Sequence, residues 1–353
     1  SVNLLGAILG GPLLVGLAER RGARRAWRLR LALLDGGLLL ACLLPLPLPL
    51  LLTARAVQGA ASMGVLSLLL GAVRGDAPGT HGRAMGLAGA AMMVAVALGA
   101  PLGTLLLSMG PAAPVLAGGA LQLAVGFASL RVPTSAEATQ GATRPWRLFA
   151  DHRALALPTL WLASERFTVG CFVVTFSLFG HQALGLSDAN VGFLYSCFLL
   201  PFALASYPLG RLAEKVERGT LVAAGSLVYG AMFMLLGIVP AAALPAVLLC
   251  AGVAAAAIYA PSLCLAATVV PPALRATSMS VVNAAGSLGM LLGTALAGIL
   301  GSVLARRGWE RAESATLIFC IAGAVQLASL LISARGLRAL EARGEGAVPD
   351  AAS

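Results

Sequence analysis

Four charged side chains stand inside otherwise apolar stretches of this sequence: Asp35, Arg55, Glu165 and Arg166. A charge at the centre of a bilayer costs about 2.5–3.5 kcal/mol on insertion scales, so such groups face a cavity or one another and mark ion or substrate paths. Arg55 suits proton coupling or the attraction of an anion, against the plainer use of a snorkelling structural charge. Glu165 is a candidate proton carrier, because a carboxylate held away from water can exchange a proton as its surroundings change. Neighbours on a helix point about 100° apart, so Glu165 and Arg166 are expected not to face each other directly; one would line a cavity while the other pairs elsewhere. A structural pair that fixes helix packing is an equal alternative. Asp35, a few residues past Arg30, reads as a shallow structural charge.

Two further carboxylates repeat. Val15-Gly16-Leu17-Ala18-Glu19-Arg20-Arg21-Gly22 closes one apolar run, and Gly210-Arg211-Leu212-Ala213-Glu214-Lys215-Val216-Glu217 closes another, with Glu214 lying 195 positions after Glu19. A carboxylate at a helix end can face the positive N-terminus of a neighbouring helix, worth roughly 0.3–1 kcal/mol and up to about 2 kcal/mol when partly buried. Repeat symmetry makes the helix after Arg275 the partner expected for Glu19, and the helix after Arg83 the partner for Glu214. Such contacts would latch one side of the protein and break when its halves rock. The alternative is a solvated turn shaped only by charge topology.

Other chemistry finds no support. The three histidines (His81, His152, His181) form no H-E-x-x-H zinc motif, and neither a phosphate-binding lysine loop nor a nucleophile elbow is present. The six cysteines are scattered through apolar stretches without metal-ligand or redox spacing and read as packing residues. No catalytic residue, metal or cofactor is expected. The formal charge of +10 resides in short loops rather than on a continuous basic face, which argues against nucleic acid.

The elements that must position these residues are membrane helices. Of the 353 residues 59% are hydrophobic and 11% charged, and apolar runs of about 17 to 25 residues recur, each long enough to cross a hydrocarbon core of about 30 Å. Eleven spans are expected, near 2–18, 31–47, 49–72, 86–107, 112–130, 155–179, 190–210, 220–239, 243–268, 279–303 and 315–334. Alternate loops hold 19 of the 24 Lys and Arg, which by the positive-inside rule places those loops and the C-terminus in the cytoplasm. Arg, Ala, Gly and Pro abundance suggests a bacterial origin, hence an inner membrane.

A second echo supports two homologous halves: Arg83-Ala84-Met85-Gly86 leads into Gly99-Ala100-Pro101-Leu102-Gly103, while Arg275-Ala276-Thr277-Ser278 leads into Gly289 and Gly293, 194 positions separating Gly99 from Gly293. The organisation expected is an N-terminal half at 1–130, a cytoplasmic linker at 131–153, a C-terminal half at 154–334 and a disordered tail at 335–353. Gly82/Gly86, Gly99/Gly103 and Gly289/Gly293 have the small-xxx-small spacing that lets helices approach closely, for packing or for rocking.

These residues resemble the major facilitator superfamily, whose turn between its second and third helices reads G-x-L-x-D-R-x-G-R-R. The first copy supplies Leu17, Glu19, Arg20, Gly22, Arg24 and Arg25, with Val15 for the leading Gly; the second restores Gly210 and adds Glu214 and Lys215. Arg55, Gln58 and Gly59 are similar to the family's fourth-helix motif, and Gly99, Pro101 and Gly103 partly resemble an element of its drug antiporters. The resemblance implies an all-α polytopic bundle in which this chain supplies helices two to twelve of twelve, helix one being absent. It implies further a monomeric secondary transporter in lipid that moves a small organic solute by alternating access, with protons as coupling ion. Export is the direction expected; metabolite uptake by symport, or a truncated protein that does not transport, are the alternatives.

Overall fold

A computed structural model describes residues 2–21, 24–73, 81–132 and 147–341. Among them are eleven long helices and no strand: α1 (Val2–Arg20), α2 (Arg24–Ala41), α3 (Leu48–Leu70), α4 (His81–Leu107), α5 (Ala113–Ala128), then after a short α6 (Leu148–Asp151), α7 (Ala156–Leu178), α8 (Asp188–Leu212), α9 (Arg218–Leu235), α10 (Leu244–Thr268), α11 (Arg275–Arg306) and α12 (Arg311–Glu341). All but α2 carry a stretch long and apolar enough to cross a membrane. The exception follows from its sequence, since Arg24, Arg25, Arg28, Arg30 and Asp35 all lie within its 18 residues.

The position of α2 corrects the expectation of a span at 31–47. It begins at Arg24, and Pro45, Pro47 and Pro49 rule out continuation beyond its end at Ala41, because proline lacks the N–H and its ring clashes with the preceding turn. Asp35 therefore lies eleven residues into the helix, about 16 Å from its start. At the other end of the chain α12 runs to Glu341, so helix occupies the first residues of the segment expected as a disordered tail. Linker residues 133–146 and tail residues 342–353 lie outside the described residues.

The two halves pack by the same scheme. In the first, α1 lies on α3, and α2 lies on α3 and α5; in the second, α8 lies on α10, and α9 lies on α10 and α12. Across the seam α1 meets α11 while α8 meets α4. The hairpin turns are equivalent as well: Gly110 (φ 133°) joins α4 to α5 and Gly308 (φ 81°) joins α11 to α12, backbone conformations that side chains with a Cβ rarely adopt.

Helix α7 packs tightly on α11, and the small residues of α11 are the cause. A Cβ added at Gly289 or Gly293 would fall on the carbonyl oxygens of Ala163 and Phe167, and one added at Gly170 would lie 2.5 Å from the Met290 carbonyl oxygen. At Gly99 and Gly103 of α4 no atom of the described residues lies within 4 Å of a built Cβ. Gly293→Leu is expected to force α7 from α11 and cost about 1–3 kcal/mol or more. Thermal unfolding in detergent micelles checks it, with Gly298→Leu, which meets open space on the same helix, melting like the parent.

Candidate functional site

Charge and close helix approach meet on the arginine-rich side of the bundle. Glu19, at the end of α1, is buried and accepts a hydrogen bond from the backbone N–H of Thr277 at 3.3 Å and a second from the Thr277 hydroxyl. Glu214, just past the end of α8, accepts from the backbone N–H of Arg83 at 2.6 Å, and the Arg83 guanidinium lies 3.5 Å from its other oxygen. Thr277 is the third residue of α11 and Arg83 the third of α4. Each carboxylate thus satisfies an N–H that the first turn of a helix leaves without a partner, and each does so on a helix of the opposite half.

Cations reinforce the first of these contacts. Arg24 lies 3.4 Å from Glu19 and also donates to the Ala273 carbonyl at 2.5 Å, so α2 reaches the segment that precedes α11. Arg20 and Lys215 are exposed, and Gly22 lies outside the described residues. Gly210 serves the seam through its size: a Cβ there would lie 2.7 Å from the Gly86 Cα, and one at Gly86 would lie 2.6 Å from the Ser206 carbonyl oxygen. On the other flank Gly71, at the end of α3, would place a Cβ 2.6 Å from the Ala276 Cα. These contacts between the halves occupy the first turns of α4 and α11.

Deeper in the first half, Asp35 joins three helices. It is buried and accepts from Gln122 of α5, with Gln58 and Ser62 of α3 as further hydrogen-bond partners and Arg55 near enough to balance its charge. Arg55 itself donates to the Gln58 side-chain oxygen at 2.5 Å, and its backbone carbonyl accepts from Asn3 at 3.4 Å. The second half repeats the clasp in neutral form, where Gln326 of α12 donates to Ser226 of α9 at 3.0 Å. Gly59, the neighbour of Gln58, acts in packing, because a Cβ there would fall on the Asn3 carbonyl oxygen. Replacing Asp35 by Ala leaves the Gln58 and Gln122 amides short of an acceptor and is expected to cost about 1–3 kcal/mol, with Asn closer to the parent. Melting temperatures of the two variants test this order.

The second half holds the other buried charge. Glu165 is 0% exposed and neither of its oxygens accepts a hydrogen bond. Arg166 is its ion-pair partner, Nε to Oε2 at 3.3 Å, and its guanidinium carbon lies 5.0 Å from the centre of the Tyr259 ring. The two neighbours therefore do meet, contrary to what their helical directions suggest, because the long arginine stem folds back along α7 far enough to overcome the angle between the Cβ atoms. Tyr259 of α10 in turn donates to the Met92 sulfur on α4 at 3.4 Å, which places the Arg166–Tyr259 stack at the seam between the halves. The Tyr229 hydroxyl of α9 is buried beside the pair without a hydrogen-bond partner. Trp161 and Phe172 are both buried, Phe172 within a cluster with Phe176, Tyr195, Phe198 and Phe233, and so they serve packing.

Sequence reasoning passed over Arg28, fully buried on α2 and donating to the Val132 carbonyl at 2.7 Å, and the role of Thr277, whose hydroxyl completes the Glu19 contact. Arg28 was hidden among the loop arginines. At the 194-residue offset Thr277 stands where the other copy of the repeat has Arg83, so both capped positions are polar and the repeat spacing was the available signal.

Comparison with known proteins agrees with this geometry. Residues 1–182 and 162–350 each match the profile of the Major Facilitator Superfamily. No curated protein sequence matches at a significant level. Among solved structures, the human organic anion transporter MFSD10 (TETRAN) is 20% identical with a TM-score of 0.74, covering 94% of this chain and 81% of that one. The proton:xylose symporter XylE is 16% identical (TM-score 0.70; 95% and 84% covered), and the E. coli fucose:proton symporter FucP is 15% identical (TM-score 0.65; 94% and 90% covered).

Proposed function

The chain belongs to the major facilitator superfamily, matched by both of its halves, and we propose that it is a proton-coupled carrier of a small organic solute working by alternating access. It is an integral membrane transporter and not an enzyme. The observation that carries the reading is the pair of equivalent carboxylate caps, Glu19 on the α11 N-terminus and Glu214 on the α4 N-terminus. Two bodies held together at one side by a few polar contacts, with glycines replacing bulk along the seam, are built to separate there. The arginine-rich side is cytoplasmic and bears the C-terminus, the membrane is a bacterial inner membrane, the carrier acts as a monomer, and the described conformation is the one closed toward the cytoplasm.

Proton coupling is supported by buried carboxylates at mid-depth: Glu165 lies nine residues into α7, about 14 Å from its start. The structural relatives named for fucose and xylose couple their solute to protons, and a third is named an organic anion transporter. Export in exchange for protons, the direction expected from the sequence, and uptake together with protons use the same machinery. They differ in whether solute and proton exclude each other at the site or bind together.

Flux measurements in vesicles holding the purified protein test the proposal. A pH gradient imposed across the membrane should drive movement of at least one member of a broad panel of dyes, antibiotics, sugars and organic acids, with matching proton movement. Absence of gradient-dependent flux for the whole panel would remove it.

A further inference from the structure

Resting on the carrier reading, we infer that the transported solute is an organic anion that travels together with a proton, the anion held by Arg166 and the proton by Glu165.

The Arg166 side chain is 21% exposed and lies over the Tyr259 ring at the seam, whereas the Glu165 side chain behind it is 0% exposed. A solute approaching between the halves reaches the guanidinium before the carboxylate. A guanidinium presents N–H donors in a planar fork that matches a carboxylate or sulfonate, and the buried Tyr259 ring beneath it holds that fork in place. A cationic solute would find the cation in front of its counter-charge.

Charge balance supplies the coupling. With Glu165 ionised, the Glu165–Arg166 pair is neutral and Arg166 already has an anion. A proton taken up by Glu165 leaves the pair with one positive charge in a surrounding of low dielectric, and a monoanion restores neutrality. Each ligand therefore strengthens the binding of the other, and linkage makes that effect reciprocal. The groups that face Glu165 from the surrounding helices add no second charge: Tyr229 comes from α9 and Tyr259 from α10, α11 passes with Gly286 against the Arg166 stem, and α12 contributes Ser329, bonded to Ser164. The carboxylate oxygens accept no hydrogen bond, so protonation breaks none. This is the feature expected of an acid that changes state during a cycle and not of one that fastens helices, as Asp35 does with its amide partners.

The test uses purified protein in phosphatidylethanolamine–phosphatidylglycerol vesicles and radiolabelled benzoate, salicylate, octanoate and lactate, with benzamide, salicylamide and a quaternary ammonium dye as uncharged and cationic counterparts. The expected result is accumulation of one or more anions under an inward proton gradient beyond the passive uptake of the neutral acid by protein-free vesicles, without stimulation by a membrane potential at fixed pH, and at least about tenfold tighter binding of that anion at pH 6 than at pH 8. Glu165→Gln should make its affinity independent of pH. Arg166→Gln should abolish binding and Arg166→Lys restore part of it, with both variants melting within a few degrees of the parent. If protons drive uncharged or cationic compounds while none of the four anions moves, the anion inference is overturned and the carrier reading survives. If an anion moves but follows the potential, or if Glu165→Gln keeps the pH dependence, the assignment of the proton is overturned. If nothing in either panel moves, both readings fall.

Discussion

Gly210→Val is expected to reduce transport to less than about a tenth of the parent and to move the protein out of the conformation described here. The valine Cβ would lie 2.7 Å from the Gly86 Cα and fall on the Gly82 carbonyl oxygen, both backbone atoms that cannot rotate away. Inserting bulk at a packed contact costs typically about 1–3 kcal/mol, and the upper end shifts a two-state population roughly a hundredfold. Because the crossing of α4 and α8 lies between the halves, the penalty falls on closure and not on the folding of either half. Hydrogen exchange should therefore speed up in the peptides that open α4 and α11, while the melting profile changes little. Normal flux in this variant would mean that the halves need not close on the arginine-rich side.

The second large effect concerns the caps. In the double variant Glu19→Gln, Glu214→Gln, each carboxylate is replaced by a neutral side chain that still accepts a hydrogen bond but no longer meets the helix N-terminus with a charge. Losing about 1 kcal/mol at each site shifts the balance roughly thirtyfold toward the state open on the arginine-rich side. The two sites act on the same rigid-body step, so the single variants are expected to show the square root of the double effect. Exchange at the amides of Thr277 and Arg83, the groups that the carboxylates cap, reads the shift directly. Unchanged exchange in the double variant would reduce both carboxylates to parts of solvated turns.

Much of this architecture is legible before any coordinates. Apolar runs announce helices because a spanning segment must satisfy its own backbone in lipid, and the 195-residue echo between Glu19 and Glu214 announces two halves whose contacts must correspond. That echo also names the helix N-termini that the carboxylates cap. Where the reading strayed, the reason was local. The arginines of α2 looked like a loop because their charges outweigh its apolar face, so the helix was placed several residues too late.

The sequence by itself determined the fold, the pairing of its halves and, Arg28 excepted, the residues that carry buried charge, because length, hydropathy and repeat spacing are properties of the chain alone. Only the tertiary structure decided what those charges do. Asp35 meets amides from two other helices, whereas Glu165 meets Arg166 and nothing that donates a hydrogen bond to it. Likewise Gly289 and Gly293 take α7 against them, a partner that their small-xxx-small spacing does not name. The physical reason is common to both cases: a side chain's type and its helical face follow from the chain, but its partner is supplied by another helix that the sequence does not place beside it.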